Sequence, residues 1–322
     1  MVNSFIVTTH HSLLTGDSVM HHFIDLLDWD AGQILKFLKE AVRLKKAQLK
    51  GKHKPRLQGS ILAMIFEKPS LRTRVSFQAG MAQLGGQSVF FNGPEVGLGK
   101  RESLPDIART MGEYVDAVVL RTFQHENVVE FARWSPKPVI NGLSDYYHPC
   151  QALADLLTIH ENFGALEGRT IVFVGDGNNV ARSLAIVCGK VGARFILSAP
   201  PAYRFDRPFL QTYETHVHGQ LEEIEDPLKA VAQADVIYTD VWVSMGQEAQ
   251  AKERGHDFEA YQVNAALLKA APERAKVMHC LPAHRGEEIT DEVLDGPQSV
   301  AFPQAGNRMH AQKALLLWAM QP

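Results

Sequence analysis

Ile61-Leu-Ala-Met-Ile-Phe-Glu-Lys-Pro-Ser-Leu-Arg-Thr-Arg-Val-Ser-Phe77 is the stretch from which the rest of the chain can be read. An apolar run ends in a Pro-Ser turn, and the pattern then changes to helical period. The reading is a strand that feeds a helix through a polar turn. Such a junction gathers free backbone N–H groups and the positive end of a helix dipole at one point. Arg72 and Arg74 add fixed positive charge, and Ser70 and Thr73 add hydroxyls. This is a place to hold a phosphate. It is not a Walker loop, because the Gly-x4-Gly-Lys pattern is missing.

Outward from this stretch the chain alternates. Before it, His21 to Leu49 reads as an amphipathic helical region, with Asp28-Trp-Asp30 as a helix N-cap. After it, β-rich runs recur at Ser88–Phe91, Ala117–Thr122 and Pro138–Asn141, with helical stretches at Arg74–Leu84, Ser103–Tyr114 and Glu126–Trp134 between them. The helix opened by His148-Pro-Cys-Gln is the expected bridge to a second series. Its strand candidates are Thr170–Val174, Arg194–Leu197, Val236–Val241, Lys276–His279 and Ser299–Phe302. Helices are expected at Val180–Val191, Pro227–Ala234, Asn264–Ala271 and Arg308–Met320. Strand, helix, strand at this spacing predicts an α/β fold of two doubly wound parallel-sheet, Rossmann-like domains joined by bridging helices. The expected division is an extension over 1–19, a first domain over 20–150, a second over 151–305, and a C-terminal helix over 306–322 packing back on the first.

Composition narrows the function. The chain has 322 residues, 45% hydrophobic and 21% charged, and a formal net charge of -3. That is a soluble globular balance, with nothing to suggest a nucleic-acid or membrane surface. Three scattered cysteines make no disulfide framework, which points to a reducing compartment. No apolar run approaches the ~20 residues that span a bilayer, and the first nineteen residues carry no Lys or Arg for a targeting segment.

The polar, reactive side chains fall just past the strand ends: Ser70 to Arg74, Arg121, Asn178-Asn179, Asp240 to Ser244, and Cys280. In open parallel sheets ligands bind outside those carboxyl ends, and two such domains would face one cleft. Arg121, His148 and Gln151 can all donate to one carbonyl oxygen as it gains charge. Taken alone, each is as compatible with a structural role. His148-x-Cys150 and His279-Cys280 lack the paired spacing of structural zinc sites. Val174-Gly-Asp-Gly-Asn-Asn-Val180 lacks the third glycine of a dinucleotide turn, and no acid ends the following strand. Asn178 and Asn179 are better read as amide donors at a helix start, suited to a carboxylate. Asp240 suits a cationic amine.

Together these segments resemble the aspartate/ornithine transcarbamoylase family over almost the whole chain from Met20. The resemblance rests on Phe66-Glu-Lys-Pro-Ser-Leu-Arg-Thr-Arg74, Leu120-Arg-Thr-Phe123, His148-Pro-Cys-Gln151 with Ala154-Asp155, Gly175-Asp-Gly-Asn-Asn179, Asp240-Val-Trp-Val-Ser-Met-Gly246, His279-Cys-Leu-Pro282 and Asn307-Arg308. It implies transfer of the carbamoyl group of carbamoyl phosphate to the δ-amine of L-ornithine, giving L-citrulline and phosphate. It assigns Ser70, Leu71, Arg72, Thr73 and Arg121 to the phosphate, and His148, Gln151, Cys280, Leu281 and Arg308 to the carbamoyl group. It assigns Asn179 and Met245 to the ornithine carboxylate, and Asp240 and Ser244 to its ammonium. Cys280, Arg121 and His148 are the implied catalytic set, with no metal and no cofactor. A cytoplasmic homotrimer is also implied. Three positions depart from the usual pattern: Leu71 stands where a threonine is common, Gly97 where a glutamine is, and Gly306 where a glutamate is. A carbamoyltransferase for putrescine or an acylated ornithine is the alternative within the class. A binding or scaffolding protein without activity is the alternative outside it.

Overall fold

The computed structural model describes residues 21–52, 54–99, 101–243 and 248–320. The first helix, α1 (Ala31–Leu49), leads into β1 (Ile61–Phe66), α2 (Leu71–Gln83), β2 (Gln87–Asn92), α3 (Leu104–Tyr114), β3 (Ala117–Arg121), α4 (His125–Trp134) and β4 (Val139–Leu143). Helix α5 (Pro149–Phe163) connects them to β5 (Thr170–Val174), α6 (Asn179–Lys190), β6 (Arg194–Ser198), α7 (Arg207–His216), β7 (Leu221–Glu223), β8 (Val236–Thr239), β9 (Lys276–His279) and α8 (Ala301–Met320). Shorter helical turns fill the connections. The strands form two all-parallel sheets, in the orders β2-β1-β3-β4 and β7-β6-β5-β8-β9. The order reverses beside β1 and beside β5, so each sheet has a switch point at the carboxyl end of its first strand.

The strands read as continuous apolar runs because both faces are covered. In β1, Leu62, Met64 and Phe66 face a core shared with α1, α2, α5 and α8, while Ala63 and Ile65 face α3 and α4. In β5, Ile171 and Phe173 face the same shared core, and Val172 and Val174 face the opposite layer around Phe258 and Leu267. The shared core therefore runs from one sheet to the other through α5. That helix is buried on every face from Pro149 to Ile159, as expected for an element enclosed between two layers. Helix α8 packs on α1, α2 and α5, and touches β9 at its start.

Several expected boundaries differ. Residues 21–29 are not helical. Phe23 instead bridges Ile140 of β4, and the capping box of α1 is built by Asp30 and Gln33 alone. Ser299–Phe302 is not a strand: Ser299 makes one bridge to Val277 and the chain enters α8 at Ala301. Strand β7 and helix α7 were not foreseen, because β7 is a short, half-exposed edge strand with two glutamates.

Candidate active site

Ser70 ends the polar turn after β1 in extended conformation, and its Oγ accepts the Thr73 N–H at 3.3 Å, capping α2. A cap of this kind stabilises the helix start by ~1 kcal/mol. Helix α2 begins at Leu71, three residues earlier than its periodicity suggests. Arg72 and Thr73 thus lie in its first turn, where the dipole is positive. Thr73 is buried, Arg72 half-buried, and Leu71 is 72% exposed. Arg74 leaves the site: its guanidinium stacks on Phe90 of the edge strand, 3.8 Å from the ring centre.

Arg121 closes β3, where the register with β4 shifts, and is buried. Arg308 reaches down from α8. It donates to Thr73 Oγ1 at 3.1 Å and to the side-chain oxygen of Gln151. Arg72, Arg121 and Arg308 are electrostatic neighbours. Burial first, then Arg308 and Arg72, push the Arg121 guanidinium down to about 10. Among the described residues none of the three pairs with a carboxylate. The Nε atoms of Arg121 and Arg308 are buried and lack protein partners. Three guanidiniums held this close favour an anion between them.

His148 sits at the N-cap of α5, held by its backbone N–H to Ser183 Oγ at 2.8 Å. Its ring is buried, and burial followed by Arg308 and Arg121 holds its pKa well below the usual value. The imidazole is neutral, and its Nδ1 has no protein partner. Cys150 faces the other way and donates to the Asn141 carbonyl, which makes it a packing residue.

The second half of the site comes from β5, β8 and β9. Asn178 caps α6: its Oδ1 accepts from Val180 and Ala181 N–H, and its Nδ2 donates to Asp240 Oδ2 at 2.9 Å. Its amide is thus spent on Asp240. Asn179 donates Nδ2 to the Ser144 carbonyl at 2.6 Å, tying α6 to the loop after β4. Asp240 also accepts its own neighbour's N–H, Val241, and the Cys280 thiol at 2.9 Å. Burial and then Asp240 raise the Cys280 thiol well above its ordinary range, so sulfur stays protonated. Both Cys280 and Asp240 act on Arg72 across the cleft. The two halves therefore adjoin at Arg72. Ser244 and Met245 lie outside the described residues.

The turn after β9 is braced. Leu281 takes the left-handed region with φ 58°, unusual for a γ-branched side chain. Its N–H donates to His279 Nδ1 at 2.8 Å, which leaves the His279 Nε2 proton for Glu288 Oε1 at 3.0 Å. Both partners are fully buried. His279 thus has no nitrogen to spare for an ion between Asp240 and Cys280, although the three lie together.

Sequence reading named the arginines, His148, Asp240 and Cys280, and these converge. It missed Arg254, which is buried between Tyr203 and Phe258. Arg254 donates to the Trp242 carbonyl and the Asp176 carboxylate, so it ties the loop after β8 to the turn after β5. It also missed Gln304, Tyr238 and the part played by Asp155. For Asp155 the signal was an acid four residues after Gln151 in an otherwise apolar helix.

The chain is similar to known proteins over nearly all of its described length. Two family profiles match, one described as the carbamoyl-P binding domain of aspartate/ornithine carbamoyltransferase over residues 21–161, the other as the Asp/Orn binding domain over 167–319. An ornithine carbamoyltransferase of Anoxybacillus flavithermus is 49% identical over 298 residues, 92% of this chain and 95% of that one. An anabolic ornithine carbamoyltransferase of Pyrococcus furiosus is likewise 49% identical over 298 residues, again 92% of this chain and 95% of that one. The solved structure of ornithine carbamoyltransferase from Pyrococcus furiosus superposes with a TM-score of 0.90 at 48% identity. It covers 93% of this chain and 97% of that one.

Proposed function

The chain belongs to the aspartate/ornithine carbamoyltransferase family, and we propose that it transfers the carbamoyl group of carbamoyl phosphate to the δ-amine of L-ornithine, giving L-citrulline and phosphate. The observation that carries this is the pairing of two unlike sites across one cleft. An unpaired arginine cluster lies on one side and the Asp240–Cys280 pair on the other, with Arg72 between. An anionic leaving group suits the first, and an amino acid the second.

The residue roles follow from charge. The first turn of α2, from Ser70 through Leu71 and Arg72 to Thr73, and Arg121 take the phosphate. His148, Gln151, Arg308 and the Cys280–Leu281 turn hold the carbamoyl group. The neutral imidazole of His148 can donate to the carbonyl oxygen, and Arg121 and the Thr73 hydroxyl add to the stabilisation as that oxygen gains charge. The δ-amine must be neutral to attack, and a desolvated pocket rimmed by guanidiniums lowers its pKa. It forms the new C–N bond, the C–O bond to phosphate breaks, and the proton lost by nitrogen leaves with phosphate or solvent. Arginines favour phosphate as the leaving group. Cys280 keeps its proton and points at Asp240, so it positions the amine side and does not attack. Asp240 receives the α-ammonium, a role the family resemblance extends to Ser244. Asn179 and the Met245 backbone serve the α-carboxylate.

Residues 20–150 form the carbamoyl-phosphate half and 151–305 the ornithine half in this reading, with 306–322 returning to the first. The enzyme works as a cytoplasmic homotrimer on the anabolic side of arginine metabolism. Free Cys150, Cys188 and Cys280 fit a reducing compartment. Steady-state citrulline formation with ornithine, putrescine and N-acetylornithine tests the function. Faster turnover of putrescine than of ornithine would overturn it.

A further inference from the structure

The interior between the two sheets holds a carboxylate that none of the roles above uses. Asp155 lies on α5, fully buried, one turn beyond Gln151. Gln151 Nε2 donates to it at 2.8 Å, Gln304 Nε2 at 2.7 Å and the Tyr238 hydroxyl at 3.1 Å. Each donor leads to a different part of the site. Gln151 offers its carbonyl oxygen to Arg308, which in turn reaches Thr73. Gln304 offers its oxygen to the backbone N–H of His279 at 2.9 Å, one residue before Cys280. Tyr238 lies two residues before Asp240 on β8.

A side-chain amide has a donor end and an acceptor end, and the two are nearly the same shape. An ionised carboxylate only accepts. Asp155 therefore pins the NH2 ends of Gln151 and Gln304 toward itself and turns both oxygens outward. A flipped Gln151 would point its NH2 at the Arg308 guanidinium, and a flipped Gln304 would point it at the His279 N–H. Both would be donor-to-donor contacts in a dry interior, which is costly.

We propose that Asp155 is a positioning residue for both substrates: it fixes the orientation of two amides, one setting Arg308 toward carbamoyl phosphate and the other setting the His279–Cys280 turn toward the amino acid. The proposal rests on the function given above. Around Asp155 stand Arg308 from α8, Tyr238 from β8, Cys188 from α6 and Cys280 after β9 as the charged or titratable neighbours.

The test compares wild type, Asp155→Asn and Tyr238→Phe at about pH 8, where Asp155 is ionised. It combines inorganic phosphate binding by calorimetry, steady-state citrulline kinetics and thermal melts. An asparagine Oδ1 can still accept both amides, as Asp155 Oδ1 does, but its Nδ2 then opposes the Tyr238 hydroxyl proton and either end of its amide can face the glutamines, so it no longer dictates their orientation. Asp155→Asn should weaken phosphate binding about tenfold and lower kcat/KM for both substrates at least about tenfold, with a cooperative melt, the scale of one lost hydrogen bond to a charged group. Tyr238→Phe removes a hydroxyl that donates to Asp155 and accepts from Gln304 Nε2, both on the amino-acid side. It should raise the KM for ornithine while leaving the phosphate Kd unchanged. Phosphate binding and kcat/KM within about twofold of wild type in Asp155→Asn would overturn the proposal. If Asp155→Asn does not fold, Tyr238→Phe decides: an unchanged ornithine KM, or equal losses on both substrates, overturns it. If wild type makes no citrulline, the activity assignment falls, and the phosphate arm alone still decides the role of Asp155.

Discussion

Of the side chains in the opening turn, Arg72 is the one that adjoins both halves of the site. It is half-buried in the first turn of α2 and feels both the arginine side and the Asp240–Cys280 side. Arg72→Ala should raise the KM for carbamoyl phosphate and lower kcat together, since its charge meets a leaving group that becomes more negative in the transition state. An unchanged rate in citrulline assays would show that Arg72 does not meet the phosphate. Its neighbour Leu71 is exposed at the N-terminus of the helix and can offer only its backbone N–H. Leu71→Thr adds a hydroxyl beside the anion. A solvent-exposed hydrogen bond contributes about 0.5–1.5 kcal/mol, so the KM for carbamoyl phosphate should fall about two- to tenfold. A KM that stays put would mean the side chain points away from the phosphate. Local reading failed at Arg74 and Asn178 for the same reason. Arg74 and Arg72 look alike in sequence, but two positions along a helix are about 200° apart, and one faces the cleft while the other covers Phe90. Asn178 looked like a ligand donor, but the helix start needs its oxygen and Asp240 takes its amide.

Among elements, the loop after β8 depends on a helix that follows it. Arg254, in the short helix Ala251–Asp257, holds the Trp242 carbonyl and the Asp176 carboxylate at once. Both loops meet at Asp240, which Asn178 of the turn after β5 holds. Breaking a buried pair by removing one partner costs about 3–5 kcal/mol, because the remaining charge is stranded. Arg254→Gln keeps a donor but loses the charge. It should lower the melting temperature and raise the KM for ornithine more than that for carbamoyl phosphate. Equal effects on both KM values in the same kinetic series would show that the tie does not serve the ornithine side. Helix α8 makes a parallel point. Its first seven residues read as strand and loop because Val300-Ala-Phe302 is β-rich and apolar. The structure spends them on one bridge and then a helix. The gain is Gln304 and Arg308 on one helical face, four residues apart.

Over the molecule as a whole, buried titratable groups tie stability to pH. Asp155 is pushed up to about 7, chiefly by burial. A folded-state pKa above the ordinary 3.8 means that the folded chain binds a proton the unfolded chain releases. Its contribution to stability is therefore complete below about pH 4 and is lost as pH rises through about 7. An asparagine cannot titrate. Thermal melts of Asp155→Asn and wild type should diverge in the variant's favour between about pH 5 and pH 8. A constant difference across that range would place the titration elsewhere. His22 and His310 act in the opposite sense. Burial holds each near 4, so their share is present above the ordinary 6.5 and is lost as pH falls toward 4.

The α/β class, the alternation and most element positions were legible because they are written in local periodicity. Continuous apolar runs mark strands covered on both faces, and the Ser70 and Asp30 caps mark helix starts. The places where polar side chains gather were legible too, since in parallel sheets they fall at the strand ends, as Arg121 closes β3 and Asp240 follows β8. What they do to one another was not. Arg308 meets Thr73 across 235 positions, and Cys280 meets Asp240 across 40. The neutrality of His148, the protonated thiol of Cys280 and the orientation of the amides about Asp155 come from burial and charge gathered from both halves. Such electrostatics depend on distance in space and on the exclusion of water, and neither exists until the two sheets close over α5.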